Sequence, residues 1–183
     1  MTSTLFVAAV KGEAAYVPAD VLITGIGTVP AAIAVTQAVL ERKPDRVINI
    51  GTAGTLVDGL SGVFEISHVT KHDFHLEMLT DVSKYLLPET YELETSGKLP
   101  TAGLATGDAF VSEQSLREKL AQRSDLVDME GYAIVAACNK LGVPVTLLKQ
   151  VSDNANEESF GTWADAVDRG AQELAAALDV LAG

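Results

Sequence analysis

Carboxylates and glycines follow the apolar segments of this chain at several separate points. Glu13 comes soon after an apolar run near the N-terminus, Glu130 follows a short apolar run in the second half, and Asp153 ends a run of β-branched and apolar residues. Carboxylates can work as an acid, as a base or as acceptors for hydroxyl groups, and glycines let backbone N–H groups approach a ligand. These residue types favour acid–base chemistry on a small molecule.

Short apolar or β-branched runs alternate with helical patterns along the chain. This alternation predicts an α/β fold of three layers (αβα), with a mostly parallel or mixed central sheet that helices cover on both faces. The predicted strands are 4–10, 20–24, 46–50, 63–70, 101–106, 125–128 and 144–151, and the predicted helices are 28–43, 112–122, 130–141 and 161–181. Residues 72–100 fit neither pattern and are interpreted as a loop at an edge or an interface.

The predicted order of elements gathers polar residues at one place. Ligands of open α/β sheets bind beyond the carboxyl ends of the strands. Small residues, carboxylates or an aromatic residue follow most of the predicted strands. These segments are Lys11-Gly12-Glu13, Gly25-Ile26-Gly27, Gly51-Thr52-Ala53-Gly54, Gly107-Asp108-Ala109-Phe110, Met129-Glu130 and Ser152-Asp153. We therefore expect one cleft with a polar floor at that edge of the sheet.

Length and composition restrict the class of protein. The chain has 183 residues, of which 48% are hydrophobic, and this suits a single domain over 1–183. A net charge of −12 with dispersed basic residues disfavours nucleic acid and anionic membranes as partners. No apolar stretch is long enough to span a bilayer, the N-terminal run does not resemble a secretory leader, and the single Cys138 excludes an internal disulfide. A cytoplasmic protein that acts on a small molecule is the expectation.

Two other kinds of site fit the sequence poorly. Residues 25–27 resemble the start of a dinucleotide-binding fingerprint, but Pro30 occupies its third glycine position. His68, His72 and His75 are close in sequence, but His75 is expected to point away from the other two, and no cysteine or carboxylate pattern completes a ligand set. We therefore predict no cofactor and no metal, and we interpret the histidines as surface or substrate-loop residues.

Four motifs follow one another along nearly the whole chain. They are Ile48-Asn49-Ile50-Gly51-Thr52-Ala53-Gly54, Gly107-Asp108-Ala109-Phe110, Val127-Asp128-Met129-Glu130 and Val151-Ser152-Asp153. In this order they resemble the purine nucleoside phosphorylase and methylthioadenosine/S-adenosylhomocysteine nucleosidase superfamily. The resemblance implies a nucleoside phosphorylase/hydrolase-like fold and a homodimer. The fold is expected to be reduced in size, because the short segment between Glu13 and Val21 leaves no room for the usual additional strands.

The resemblance assigns a role to each carboxylate. Asp153 is similar to the acid that protonates or hydrogen-bonds N7 of the purine, so that the base leaves neutral. Glu130 is similar to the residue that binds the two ribose hydroxyls, and Glu13 to the carboxylate that activates water. Cleavage of an N-glycosidic bond builds positive charge on the sugar and negative charge on the base, so this division of roles fits the chemistry.

The resemblance also predicts how a nucleoside is bound. Phe110 is expected to stack on the base, Met129 to lie beneath the sugar, and backbone groups around Val111 to contact the base. The predicted substrate-binding residues are Met129, Phe110, Val111, Thr52, Ser152, Ile26, Gly27 and Phe160. An apolar pocket would suit an alkylthio or deoxy group at the 5′ position. Its candidates are Val10, Ile26, Phe160 and Met78 of the partner subunit.

The distribution of cations distinguishes water from phosphate as the nucleophile. Phosphate requires fork-like donors such as arginine. Phosphorylases of the family carry an arginine where this chain has Asn49. Lys11 is then the one cation in the loop that is expected to border the site. Lys149 stands where many nucleosidases have an arginine. The arginines, which are predicted to lie away from the cleft, are Arg42, Arg46, Arg117, Arg123 and Arg169. The prediction is a hydrolase of adenosine-type nucleosides such as 5′-methylthioadenosine or S-adenosylhomocysteine; the alternatives are a purine nucleoside phosphorylase and a non-catalytic nucleoside-binding protein.

Overall fold

Apolar side chains alternate between the two faces of a central sheet. The computed structural model describes residues 3–74, 83–155 and 163–182. In it, the neighbours Val7 and Ala8 are fully buried in different clusters, as are Leu147 and Leu148. Because both faces are covered, these strands read in the sequence as continuous apolar runs. The sheet is therefore the middle of three layers.

Strands and helices alternate through most of this part of the chain. The strands are β1 (Thr4–Ala8), β2 (Val21–Ile23), β3 (Arg46–Thr55), β4 (Val63–Lys71), β5 (Thr90–Glu92), β6 (Thr101–Thr106), β7 (Leu126–Asp128) and β8 (Val145–Asp153). The α-helices are α1 (Thr28–Arg42), α2 (Gln114–Leu120), α3 (Gly131–Leu141) and α4 (Trp163–Ala182). Short 3₁₀ helices span Lys11–Ala14 and Ser83–Tyr85.

The strands form one mixed sheet whose central part closes on itself. β3 pairs in parallel with β8, and β8 pairs antiparallel with β4. From β4 the sheet continues in parallel through β6 to β7, and β7 returns antiparallel to the end of β3. β1 and β2 extend the sheet beyond β3, and β5 pairs with β4. The closure brings the ends of β3, β7 and β8 together.

Helices cover both faces of the sheet. α1 and α3 pack against one face, where Val35 and Ile134 belong to the same apolar cluster. α4 covers the opposite face, where Leu174 packs in a second cluster with Ile48 and Leu148. The predicted three-layer fold with a mixed sheet is confirmed.

The ends of the elements differ from the prediction where the polar residues lie. The strand predicted at 46–50 continues as β3 to Thr55. Gly51 therefore lies within the strand. A glycine suits this position because a Cβ there would be 3.0 Å from Nζ of Lys149 and 3.4 Å from Oε1 of Glu13. The strand predicted at 4–10 ends at Ala8, because the chain then turns into the 3₁₀ helix that carries Glu13.

The segment 72–100 contains more regular structure than predicted. Its described part includes the second 3₁₀ helix and β5, which pairs with β4 at the edge of the sheet. Residues 75–82 lie outside the described residues.

Across the described ranges, no helix is long and apolar enough to cross a membrane. Cys138 is fully buried in α3, and burial raises the pKa of its thiol to about 12, which makes it an unreactive core residue.

Two helices end in the left-handed backbone conformation, one at a lysine and one at a glycine. Lys43 ends α1 with a φ of 48°, and Gly142 ends α3 with a φ of 70°. A Cβ in this conformation costs about 1 kcal/mol. We expect Lys43→Gly to raise the free energy of unfolding by up to about 1 kcal/mol and Gly142→Ala to lower it by about as much, as measured by urea denaturation. Lys140→Gly within α3 is the control and should destabilise; a destabilised Lys43→Gly variant would contradict the prediction.

Candidate active site

A cavity of about 300 Å³ lies beside the ends of β3, β7 and β8. Its lining is largely apolar but includes the carboxylates of Glu13, Asp128, Glu130 and Asp153, and no lysine or arginine of the described ranges lines it. The strands that form it do not all run the same way, because β7 is antiparallel to β3 and Gly54 pairs directly with Val127. The closure of the sheet, rather than a shared edge of parallel strands, therefore brings the carboxylates together.

Most of the predicted site residues line this cavity. They are Glu13, Ile26, Thr52, Phe110, Val111, Met129, Glu130, Ser152 and Asp153, together with Val10 from the predicted 5′ pocket. Gly27 does not line the cavity and donates its N–H to Glu130 instead. Phe160 and Met78 lie outside the described residues. The structure thus brings the three predicted carboxylates into one space.

Glu13 is held in place by four donors. Its Oε2 accepts the N–H groups of Ala9 and Val10 at 3.1 and 3.2 Å, and its Oε1 accepts the N–H and the hydroxyl of Thr52 at 2.8 and 2.9 Å. The 3₁₀ helix after β1 and the middle of β3 therefore fix one orientation of the carboxylate. A carboxylate fixed in this way at a cavity wall can take a proton from a bound water molecule.

A buried lysine stands among the carboxylates. Lys149 on β8 is 1% exposed, and its Nζ lies 2.9 Å from Oδ2 of Asp128. Burial alone would lower the pKa of this ammonium, but the charges of Asp128, Glu130 and Glu13 outweigh that effect and raise it. Lys149 therefore stays charged beneath the cavity. The sequence places Lys149 within a predicted strand, and only the resemblance indicated that it lies near Glu130.

Sequence reasoning assigned no separate role to Asp128. Its Oδ1 accepts the hydroxyl of Thr106 at 2.6 Å, and its Oδ2 accepts the N–H of Gly131 at 2.8 Å. The hydroxyl of Thr106 in turn accepts the N–H of Tyr132 at 3.0 Å. Asp128 and Thr106 therefore each satisfy one of the first two N–H groups of α3, and Asp128 joins that helix to β6, β7 and β8. The signal available in the sequence was an aspartate two residues before Glu130 in the same motif.

Glu130 lies between the beginnings of two helices. It is the N-cap of α3, and its Oε1 accepts the N–H of Gly27, just before α1, at 2.8 Å. Burial, together with the nearby charge of Asp128, raises the pKa of Glu130 to about 7, against the opposing effects of Lys149 and the Gly27 N–H. Glu130 can therefore change its protonation near neutral pH.

Asp153 ends β8 at the opposite side of the cavity. Its Oδ1 accepts the N–H of Ala155 at 2.8 Å, and its Oδ2 accepts the hydroxyl of Ser152 at 2.7 Å. These two hydrogen bonds close a tight turn that presents the carboxylate to the cavity. Gly54 is required beside it, because a Cβ there would lie 3.0 Å from Oδ1 of Asp153.

The segment that carries Phe110 is anchored to the start of α1. Oδ1 of Asp108 accepts the N–H of Thr28 at 2.7 Å and Oδ2 accepts its hydroxyl at 2.5 Å, while the N–H of Asp108 is bonded to Asp73 at 2.7 Å. Lys71 pairs with Asp73 at 2.8 Å. Phe110 is partly exposed at the rim of the cavity, where an aromatic ring can stack on a flat base.

The histidines occupy different surroundings. His68 contacts the carbonyl of Arg123 at 3.2 Å, and His75 lies outside the described residues. His72 is buried, contrary to the surface or substrate-loop expectation, and its ring explains Gly107, where a Cβ would come within 2.4 Å of Nε2. Burial lowers the pKa of His72 despite the opposing charge of Asp73. In the part of the chain that the structure describes, no group of three potential ligands could hold a metal ion.

One arginine lies closer to the site than predicted. Arg117 on α2 is buried, and its guanidinium donates to the carbonyl of Asn154 at 3.0 Å and to Asp58 at 2.7 Å. The prediction that the arginines lie away from the cleft holds in that Arg117 does not line the cavity, but its side chain contacts the residue that follows Asp153, because α2 packs against Ala155. Its Nε and one terminal nitrogen are bonded to a carbonyl and a carboxylate, and the residue does not line the cavity as a bidentate donor for phosphate.

The three-layer fold and the carboxylate-lined cavity define an α/β protein with an enzyme-like site for a small molecule. The chain belongs to the phosphorylase superfamily, whose sequence model matches residues 8–85 and 94–182. The family resemblance seen in the four motifs is confirmed.

Relatives within this superfamily are nucleosidases. The 5′-methylthioadenosine/S-adenosylhomocysteine nucleosidase of Shewanella oneidensis is 31% identical over 163 residues, which cover 76% of this chain and 69% of the relative. The enzyme of the same name from Shewanella putrefaciens is 30% identical over 163 residues, with 76% and 71% covered.

Solved structures of such enzymes share the fold. The Helicobacter pylori 5′-methylthioadenosine/S-adenosylhomocysteine nucleosidase, complexed with a pyrrolopyrimidine-containing compound, superposes with a TM-score of 0.84 at 21% identity and covers 99% of this chain and 97% of its own. The Streptococcus pneumoniae enzyme with a transition-state inhibitor has a TM-score of 0.81 at 23% identity, with 97% and 96% covered. At these identities the likeness concerns the fold.

The raised pKa of Glu130 predicts a pH-dependent cost to stability. The ordinary pKa is 4.5 and the folded value is about 7, so ionisation disfavours the folded state, and stability is lost as the pH rises from 4.5 through 7. Glu130→Gln keeps the acceptor for Gly27 and carries no charge. We expect it to be more stable than the original chain by about 1–3 kcal/mol at pH 8, with the difference vanishing towards pH 4.5.

Urea denaturation at several pH values measures this difference. Glu92→Gln, at an exposed position of β5, controls for the change of net charge. A gain in stability for Glu130→Gln that is the same at pH 4.5 and pH 8 would contradict the raised pKa.

Proposed function

We propose that this protein hydrolyses the N-glycosidic bond of an adenosine-type purine nucleoside to give the free base and the ribose moiety, with residues 1–183 as one catalytic domain. The observation that carries the proposal is that Glu13, Glu130 and Asp153 line one cavity that no lysine or arginine of the described ranges enters. The relationship to enzymes named nucleosidases, at 31% identity, supports the same reaction.

Asp153 acts on the leaving base in this proposal. Its carboxyl group gives a proton to N7 of the purine while the bond between N9 and C1′ breaks, so that the electron pair of that bond stays on a neutral base. A general acid at this position contributes about 10²- to 10⁴-fold to the rate. Phe110 at the rim stacks on the base, and the fixed turn at Ser152 and Ala155 aims the carboxyl group.

The remaining carboxylates act on the sugar and on water. Glu13 accepts a proton from a water molecule whose oxygen attacks C1′, and Glu130 accepts the hydroxyl groups of the ribose. Three buried acids, Glu13, Asp128 and Glu130, surround the single ammonium of Lys149. This excess of acidic groups stabilises the positive charge that develops on the sugar in the transition state.

The electrostatics of the cavity favour water over phosphate as the nucleophile. A phosphate ion would need bidentate cationic donors to offset its own charge. In the described ranges the nearest buried cation is Lys149, whose Nζ is paired with Asp128, and Arg117 is occupied by Asn154 and Asp58. An anionic nucleophile would be repelled by the carboxylates that line the cavity.

The proposed substrate carries an apolar 5′ substituent. Val10 and Ile26 line the cavity, and neither offers a hydrogen-bonding side chain. An alkylthio group, as in 5′-methylthioadenosine or S-adenosylhomocysteine, matches such a lining better than a phosphate or a free hydroxyl group.

A homodimer is the proposed assembly. Along α1 an apolar stripe is between 53% and 64% exposed, and it begins at Ile26 in the cavity wall and continues through Val29, Ile33 and Leu40. Ile26 precedes α1, and the spacing of Val29, Ile33 and Leu40 places these three residues on one face of the helix. A second copy that covers the stripe would also border the open side of the cavity, and exposed apolar patches of this kind mark interaction surfaces.

The cytoplasmic location stays a prediction.

Incubation with purine nucleosides, with and without phosphate, tests the reaction. We expect adenine and a free ribose moiety to appear at the same rate in both conditions, as measured by chromatography. Asp153→Asn should reduce turnover by about 10²- to 10⁴-fold, because the leaving base loses its acid. Asp20→Asn, at an exposed position that pairs with Arg42, is the control and should not change turnover.

Each of the other outcomes would contradict one part of the proposed function. A strict requirement for phosphate, with ribose 1-phosphate as product, would make the protein a phosphorylase. Binding of nucleosides without release of any base would make it a non-catalytic binding protein. Full activity of Asp153→Asn would remove Asp153 as the acid.

Light scattering tests the dimer. We expect twice the mass of one chain, and we expect Ile33→Glu to give a monomer with a raised KM for the nucleoside, because a charge in the centre of an apolar interface costs several kcal/mol. Val180→Glu on the exposed side of α4 is the matched control and should remain dimeric. A monomer for the original chain would refute the proposed assembly.

A further inference from the structure

The side chain of Arg117 reaches from α2 to the turn that carries Asp153. Only 8% of the residue is exposed, and its Nε donates to the carbonyl of Asn154 at 3.0 Å and, less closely, to that of Thr55 at 3.4 Å. A terminal nitrogen pairs with Asp58 at 2.7 Å. The side chain of Asp58 is 94% exposed, so this ion pair adds little by itself. The contact with Asn154 is partly buried and is therefore the one that constrains the site.

The Asn154–Ala155 peptide group connects Arg117 directly to Asp153. Its carbonyl oxygen accepts the hydrogen bond from Arg117, and its N–H, at Ala155, donates to Oδ1 of Asp153 at 2.8 Å. A peptide whose carbonyl is bonded to a cation becomes a stronger donor at its N–H. The guanidinium thus acts on the carboxylate through one peptide group.

The backbone of this turn needs such support. Ala155 has a φ of 47°, a conformation that costs a residue with a Cβ about 1–2 kcal/mol. Ala155 is 1% exposed and packs against Gly54, where a Cβ would lie 3.0 Å from that of Ala155. Without Arg117 the carbonyl of Asn154 would lose this donor, and the peptide would be free to rotate towards another partner.

We propose that Arg117 is a positioning residue for the general acid: through the Asn154–Ala155 peptide it fixes the direction in which the Asp153 carboxyl group faces the purine. This rests on the proposed role of Asp153. Arg117 does not line the cavity and so acts on the reaction only through Asp153.

Two adenosine analogues that differ at positions 7 and 9 of the base test this inference. 9-Deazaadenosine carries an N–H at the position of N7, which can donate to Asp153, whereas 7-deazaadenosine carries a C–H there. We expect the original chain to bind 9-deazaadenosine about 10- to 100-fold more tightly, as for a hydrogen bond to a charged group. In Arg117→Met this preference should fall at least about fivefold, because the acceptor is no longer aligned.

The ratio of the two dissociation constants separates positioning from general damage. Both analogues bind the same folded protein, so a loss of folded material changes both constants equally. Asp58→Asn keeps the contact of Arg117 with Asn154 and is the matched control; it should retain the preference. If Arg117→Met cannot be obtained folded, Arg117→Lys decides by the same ratio, because lysine keeps the charge but not the planar donor group.

Three outcomes count against different statements. An unchanged preference in Arg117→Met, or an equal weakening for both analogues, would overturn the positioning role and leave the proposed reaction intact. No preference in the original chain would mean that Asp153 does not contact position 7, which removes the acid assignment itself. A preference lost in both Arg117→Met and Asp58→Asn would assign the effect to the surface ion pair and would also overturn the inference.

Discussion

A lysine ammonium and an aspartate carboxylate lie 2.9 Å apart in the interior of this protein, and the groups around them are arranged to satisfy both charges. Removing two such charges from water costs several kcal/mol for each ion, so the pair is tolerable only with good geometry and further hydrogen bonds. Asp128 receives these bonds from Thr106 and Gly131. The ion pair and the hydrogen bonds that it requires therefore fix the packing of β6, β7, β8 and α3 against one another.

The geometry of the site depends on this ion pair and its hydrogen bonds. Because Asp128 satisfies the first N–H of α3, the preceding Glu130 is held at the start of the helix and reaches Gly27 before α1. Gly51 leaves the space in which Nζ of Lys149 and the carboxylate of Glu13 both lie. Burial, together with the charge of Asp128, raises the pKa of Glu130 to about 7, and the surrounding carboxylates keep Lys149 protonated. Stability and chemistry thus depend on one electrostatic cluster.

The balance of charge also separates the proposed hydrolase from a phosphorylase. Water needs a base and no counter-charge, and the cavity supplies carboxylates. Phosphate needs exposed cationic donors, but none of the described lysines and arginines lines the cavity, and the buried Lys149 is paired with Asp128. Asp153 is held apart from the Lys149 cluster by its own turn, so the acid for the base and the groups for the sugar occupy different electrostatic surroundings.

The sequence by itself determined the three-layer fold, most of the elements and the carboxylates that share the cavity. Alternation of apolar runs with helical periods defines an αβα arrangement, and local motifs identify Glu13, Glu130 and Asp153, since both signals are carried by residues near one another in the chain. Only the tertiary structure decided that β7 runs antiparallel to β3, that β3 continues past Gly51, and that Lys149 is a buried partner of Asp128. Arg117 shows the reason: it lies on a short helix far from Asp153 in sequence, and its contact with Asn154 depends on how α2 packs against Ala155. Such long-range packing and the charges it buries leave no local pattern in the chain.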